Sequence, residues 1–194
     1  VALWDVDTGK LLCELESAER IHPVQFSPDG KQLFAGGTGG NLQIWDAESR
    51  RRIRTIKAHT EEVWSLDVSP DGKMVATASF DQSAAVFNVD TGEQISRRKD
   101  HQWFVRSIAF SPDGLRVATG GEGGNDIFVW EVASGQLVQQ FTAEWSPISL
   151  AWCAGGRVLV SSHYYDRLHF WDVATGKWLG MSRNCPGPFN WGIL

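Results

Sequence analysis

The chain is short of several things, and each shortage removes a class of protein. Its three cysteines, Cys13, Cys153 and Cys185, are far apart and odd in number. They offer neither a disulfide framework nor a metal-ligand cluster, and they suit a reducing compartment. No apolar run reaches the roughly 18 residues of a membrane span, and no segment keeps a helical period. Basic residues are outnumbered, 18 Lys and Arg against 23 Asp and Glu, which argues against a general nucleic-acid surface. Nothing follows the phosphate-loop pattern. The expectation is a cytoplasmic protein with no cofactor, no membrane and no nucleic acid, read from a chain that begins at Val1 rather than Met. Ten tryptophans and twenty glycines are what it has in quantity. That combination suits many short strands joined by tight turns.

Residues 59–88 recur along the chain at a period near 42. The turn Ser-Pro-Asp-Gly occupies 27–30, 69–72 and 111–114, with a worn copy at Cys153-Ala-Gly-Gly156. An aromatic marker gives the same period: Trp4, Trp45, Phe87, Trp130 and Trp171. Each period holds four short β-type runs. The first aligns Val24, Leu66, Ile108 and Leu150, then Phe26, Val68, Phe110 and Trp152; the second, Leu33, Val75, Val117 and Leu159. The third aligns Ile44, Val86, Val129 and Phe170, and the fourth Leu12, Ile53, Ile95, Val138 and Leu179. Adjacent apolar residues within a run mean strands covered on both faces. Pro presets φ in each Ser-Pro-Asp-Gly turn and Gly supplies positive φ, so runs one and two form a hairpin. The sequence predicts an all-β protein of four-stranded repeats.

The dipeptides Trp4-Asp5, Trp45-Asp46 and Trp171-Asp172, with variants Phe87-Asn88 and Trp130-Glu131, complete a pattern together with the period, His59 and His101. The pattern resembles the WD-repeat β-propeller family over essentially the whole chain, and its turns look most like prokaryotic members. The resemblance implies a β-propeller of four-stranded antiparallel blades. Four full blades are expected at 16–56, 57–99, 100–142 and 143–182, strands three and four of another at 1–15, and the start of a further one at 183–194. Seven blades would need about 290 residues, so the expectation is a fragment of a longer propeller; a five-bladed ring with a defective closing blade is the alternative.

The resemblance also implies a hydrogen-bond relay in each blade, from His through Ser or Thr and Asp to Trp. Its members here are His59, Thr77 and Asp81 in one blade, and His101, Thr119 and Trp130 in the next, with Trp45 and Trp171 elsewhere. No blade has the full set: Phe87 replaces one Trp, Gly123 stands at one Asp place, and Ala143 at one His place. Packing is therefore expected to stabilise the blades more than this network.

In this family the end of the propeller where first strands begin commonly binds peptides. Carried onto this chain, that rim comprises Arg20, Glu62, Phe104 and Ser146; His22, Trp64, Arg106 and Ile148; and Thr38, Phe80, Glu122 and Tyr164. Aromatic and arginine side chains combine apolar area with directional polar groups, which suits binding hot spots. Trp103 and Trp145 lie close by in sequence.

Catalytic candidates are few. The cluster Ser161-Ser162-His163-Tyr164-Tyr165-Asp166 with His169 lacks a nucleophile elbow, and the relay alignment already accounts for Ser161. The basic runs Arg50–Arg54 and Arg97–Lys99 read as solvated outer strands. The expectation is a non-catalytic scaffold that holds a protein or peptide, joined in the full-length chain to a further, enzymatic domain as in bacterial relatives. The rival is a sensory or catalytic propeller with a ligand in the central channel, for which only His22 and Asp67 offer polar candidates.

Overall fold

The structure is a computed structural model that describes residues 1–163 and 167–182. Tyr164, Tyr165, Asp166 and the segment 183–194, with Cys185, lie outside the described residues. Strands β1 (Ala2–Trp4) and β2 (Leu11–Glu14) form a two-stranded antiparallel ribbon. Four antiparallel meanders follow. The first holds β3 (Ile21–Phe26), β4 (Gln32–Gly37), β5 (Asn41–Asp46) and β6 (Arg52–Lys57). The second holds β7 (Val63–Val68), β8 (Met74–Ser79), β9 (Ala84–Asn88) and β10 (Gln94–Arg98), and the third β11 (Val105–Phe110), β12 (Arg116–Gly121), β13 (Asp126–Glu131) and β14 (Leu137–Thr142). β15 (Pro147–Cys153), β16 (Val158–His163), β17 (Arg167–Asp172) and β18 (Trp178–Met181) make the fourth. A single 3-10 turn, Ala154–Gly156, is the only helical element among the described residues, so none there could cross a membrane.

Sheet meets sheet mainly at the first strands: β3 lies against β7, β7 against β11 and β11 against β15. The sheets therefore splay outward from an inner row of first strands, as propeller blades do. Burial follows. β4, β8 and β12 are buried on both faces, whereas the outer strand β6 alternates half-buried and exposed residues. Each interior sheet gives one face to each neighbour. In the second sheet, Val75, Ala85 and Phe87 pack against Phe34, Leu42 and Ile44 of the first. Its other face, Ala76, Ala84 and Val86, meets Val105, Phe128 and Trp130 of the third.

The turns are held by their own side chains. Ser69 Oγ donates to Asp71 Oδ1 (2.7 Å) and accepts from Met74 N (2.9 Å), while Asp71 Oδ1 accepts from Lys73 N. The turns at Ser27 and Ser111 repeat these bonds. The acid after the aromatic marker caps the other turn: Asp46 Oδ1 accepts from Ser49 N, and Asp172 Oδ1 from Thr175 N. These bonds stabilise the carboxylates, and hydrogen bonding from Ser69 is the main reason Asp71 titrates below its usual range.

The basic runs do sit on outer strands, but they are not simply solvated. Arg54 of β6 donates to the carbonyls of Asp90 and Thr91 in the next sheet's turn, and Arg98 of β10 does the same to Gly135. Turn carbonyls facing an adjacent blade need donors, and a guanidinium carries several in a fixed fork. Arg97 reaches inward, to Ser83 Oγ and the carbonyl of Ala58.

Candidate functional site

The rim is built by one local irregularity repeated in every sheet. The pairing of each first strand with the second shifts register near its start: between Ile21 and Val24, Val63 and Ser65, Val105 and Ser107, and Pro147 and Ser149. A bulge re-aims the extra side chain. The residues at these bulges include His22, Trp64, Arg106 and Ile148, one of the three sets expected at the rim. The other two sets are tied to each other by backbone. Thr38 N donates to Arg20 O (2.9 Å), Phe80 N to Glu62 O (3.1 Å) and Glu122 N to Phe104 O (2.9 Å).

Across the first three sheets these residues form a continuous aromatic run. His22 lies 4.7 Å from Trp64 (centroid to centroid); Trp64 stacks on Phe80 at 4.9 Å, and Phe80 on Phe104 at 4.4 Å. Trp103 extends the run edge-on to Phe104 at 6.1 Å. It is 56% exposed and lies against Gly123, where positive φ and the indole leave no room for a Cβ. Arg106 places its guanidinium 5.2 Å from the Trp64 centroid and pairs with Glu122. Arg20 and Thr38 stand outside the run, as do Ser146, which bonds Asn125 and Gly123 N, and the half-buried Ile148. The expected fourth-blade member Tyr164 is outside the described residues.

Beneath the rim lie the relays, each differently worn. In the second sheet His59 Nδ1 lies 3.1 Å from Asp81 Oδ2 and His59 Nε2 2.8 Å from Thr77 Oγ1. Burial outweighs Asp81 and lowers the His59 pKa, so a neutral imidazole donates from Nδ1–H and accepts the Thr77 hydroxyl. Asp81 is itself held well below the usual carboxylate range: burial opposes this, and bonds from His59 and Ser83 outweigh it. In the third sheet His101 Nε2 meets Thr119 Oγ1 at 3.0 Å, and burial lowers its pKa to about 4. The chain stops there, because Trp130 Nε1 is enclosed with no hydrogen-bond partner. Trp45 packs with Leu15, Leu33 and Ala35.

The fourth sheet closes its relay with a residue that sequence alignment passes over. Trp171 Nε1 donates to Ser161 Oγ (2.8 Å), Ser161 donates to His163 Nε2 (2.7 Å), and His163 Nδ1–H donates to Trp145 O (2.7 Å). His163 comes from the second strand, twenty residues after the Ala143 that occupies the usual His place. The signal was a Ser-x-His in one strand, whose alternation puts both side chains on one face.

The family model for the WD domain, G-beta repeat, matches residues 20–46, 50–88 and 92–131. The chain belongs to the WD40 repeat family. Among curated proteins, it is similar to "Cell division cycle 20.1, cofactor of APC complex" of Arabidopsis thaliana, 34% identical over 70 residues, 34% of this chain and 15% of that protein. It is also similar to "General transcriptional corepressor TUP1" of Saccharomyces cerevisiae, 40% identical over 47 residues, 24% of this chain and 7% of that one. These matches thus span only a small part of each relative. Among solved structures, a chain of the "Crystal Structure of Mitotic Checkpoint Complex" superposes with a TM-score of 0.82 at 26% identity, covering 93% of this chain and 57% of that chain.

Within this WD40 array the polar groups that could suggest chemistry are engaged structurally. Ser161 and His163 are hydrogen-bonded, but both are buried, and the serine proton points into the relay rather than toward a substrate. Asp67, the inward carboxylate, ties three first strands together: it accepts from Gln25 Nε2 (3.0 Å), from Val68 N (2.9 Å) and from Phe110 N (2.7 Å). Burial raises its pKa, and those same bonds oppose the rise. Among the described residues no group of three or more His, Cys, Asp or Glu could hold a metal ion.

Proposed function

We propose that this WD40 chain is a non-catalytic scaffold that captures a protein or peptide segment on the rim where its first strands begin, as a cytoplasmic module of a larger protein. The observation that carries the reading is the half-buried stacked run Trp64–Phe80–Phe104, with the exposed His22 ring tilted against Trp64, a surface crossing three sheets. Scattered exposed apolar residues need no explanation, but a continuous aromatic strip at a surface is the composition of an interface core. Arg20, Thr38, Arg106 and Glu122 supply the polar border of that strip. Two of the relatives, a cofactor of a complex and a corepressor by name, fit proteins that act by contact.

The test is a full-length chain with alanine at Trp64, Phe80, Phe104 and Arg106 together. None of the four is a fully enclosed core residue, so the urea midpoint should stay close to that of the parent. Partner capture, measured by affinity isolation with crosslinking, should disappear. Capture that survives all four changes overturns the rim reading.

A further inference from the structure

Stacked rings keep their geometry only while the strands that carry them keep their spacing, and three separate sheets carry this run. His22 stands on β3, Trp64 on β7, Phe80 just after β8 and Phe104 just before β11. Ring contacts at 4.7 Å and 4.4 Å cross the two seams between those sheets, and the Arg106 contact with Trp64 crosses the second seam again. An aromatic pair contributes about 1 kcal/mol beyond its buried area, too little to set the spacing of whole sheets. The rings follow the strands.

About 10 Å further along those strands, Asp67 ties the same three sheets together. It stands on β7, three residues beyond Trp64. Its Oδ1 accepts from Gln25 Nε2 on β3 (3.0 Å), three residues beyond His22, and its Oδ2 accepts from the backbone N–H of Phe110 on β11 (2.7 Å). The two seams that the rings cross are the two that this carboxylate spans. The next seam is built otherwise. Between β11 and β15, Leu150 N donates to Ser107 Oγ and Trp152 Nε1 to Ala109 O, each bond joining two strands. The rim above that seam is polar, with Ser146 bonded to Asn125 and to Gly123 N. Asp67 also departs from the repeat, for Gln25, Ala109 and Ala151 fill its place in the other first strands. A half-buried carboxylate adds little stability by itself, and burial raises its pKa. What such a group supplies best is register between the elements it joins.

We infer that Asp67 is the positioning residue of the rim: its carboxylate sets β3 and β11 against β7 at the spacing that brings His22, Trp64, Phe80 and Phe104 into one surface. The inference rests on the rim reading above for its link to partner capture, and it adds the residue that preorganises the surface.

Fluorine NMR of the full chain, grown with fluorinated tryptophan, tests the positioning without a partner. Trp64→Phe assigns the Trp64 line, and Phe80→Ala fixes where that line lies once the stack is lost. Asp67→Ala installs the residue that the third and fourth sheets have at this place, and should move the Trp64 line toward the Phe80→Ala position. Asp67→Asn should return it, because the amide oxygen still accepts from Phe110 N and the amide N–H serves Gln25 once the Gln25 amide turns over. The Trp171 line, from the fourth sheet, should stay still throughout. If Asp67→Ala does not fold, Gln25→Ala decides: freeing β3 alone should shift the Trp64 line through His22, by less. A Trp64 line that keeps its parent position in the deciding variant overturns the positioning role. So does a joint shift of the Trp64 and Trp171 lines, which marks loosening of the whole fold. Partner capture should weaken in Asp67→Ala and recover in Asp67→Asn. Displaced rings with capture intact would overturn the link to binding, whereas the rim reading itself stands or falls on the fourfold alanine variant.

Discussion

The seam between the second and third sheets and the face of β3 turned toward β1 carry the same kinds of residue at the same places in the repeat. Their fates differ. At the interior seam Ile108 is 5% exposed, Phe110 6% and Trp130 0%. At the other, the equivalent Val24 and Phe26 are 50% and 47% exposed although Trp45 of the same sheet is 2%, and the marker of the ribbon itself, Trp4, is 59% exposed. An open cleft between β1 and β3, lined by Trp4, Val24 and Phe26, separates them. The repeat decides which residue type stands at a position, and the neighbouring sheet decides whether that residue contributes to stability. A module that cannot bury its own face gains most of its free energy from the copy beside it.

The largest expected difference follows directly. Trp130→Ala should cost about 3 kcal/mol, the low end for a buried aromatic, because the enclosed and unpaired Nε1 is lost with the ring. Trp4→Ala should cost under about 1 kcal/mol. Urea unfolding of both variants measures the gap, and equal losses would show that the adjacent sheet does not set the value of the marker. Phe110→Ala against Phe26→Ala repeats the comparison on the first strands, with about 3 kcal/mol expected for the former.

The relays allow a second comparison, between a whole copy and a worn one. Asp81→Ala strands the His59 Nδ1–H and the Ser83 and Thr60 donors, and should cost about 2–3 kcal/mol at pH 7. Because the folded pKa of Asp81 is depressed, its contribution is complete above roughly pH 4 and is lost as pH falls further, through the folded value. His101 behaves differently, having no such acid bonded to it. Folded, it stays neutral down to about 4, whereas in the unfolded chain it takes a proton below about 6.5. The unfolded state then binds more protons, so stability falls as pH drops from about 6.5 to 4. His101→Asn should flatten part of that slope, by about 2 kcal/mol between pH 7 and 4, leaving the parts due to the buried His59 and His163. Urea midpoints at pH 7, 5.5 and 4.5 would separate the two behaviours; an unchanged slope in His101→Asn would show that this histidine does not titrate differently on folding.

How much could be read in advance depended on the range of the interaction. The Ser69 turn was legible because Ser69, Asp71 and Gly72 bond within their own few residues, and so was the all-β class, because alternation and turn chemistry are local. The rim residues could be placed by position, yet nothing in the sequence said that Trp64, Phe80 and Phe104 would stack into one run. Stacking depends on the bulge that turns Trp64 outward and on how far one blade is rotated from the next. His163 escaped the repeat alignment for the opposite reason: it fills a role from another strand, which a fixed period cannot show and only the local Ser-x-His spacing carries. Arg54 and Arg98 looked like solvent-facing charge because their acceptors, the turn carbonyls at 90–91 and 135, lie in another sheet.

The smallest effect concerns the worn turn, where the comparison can be sharpened in the stabilising direction. At Ser69–Gly72 the only residue with positive φ is Gly72, at 73°, and the serine and aspartate side chains hold the backbone around it. At 153–156 those side chains are absent, and three successive residues take positive φ: Ala154 at 50°, Gly155 at 63° and Gly156 at 85°. Two of the three are glycine and bear this without steric cost. Ala154 is not, and its Cβ is set against the following carbonyl for about 1 kcal/mol. Ala154→Gly removes that conflict but enlarges the freedom of the unfolded chain, so the net gain should be about 0.5 kcal/mol. Ser69→Ala, which strips two bonds from an intact turn, should lose about 1 kcal/mol. Opposite signs in the urea midpoints of these two variants would mean that the worn copy is limited by backbone strain and the intact copy by its side-chain bonds. A loss in both would mean that Ala154 is anchored by contacts its replacement cannot keep.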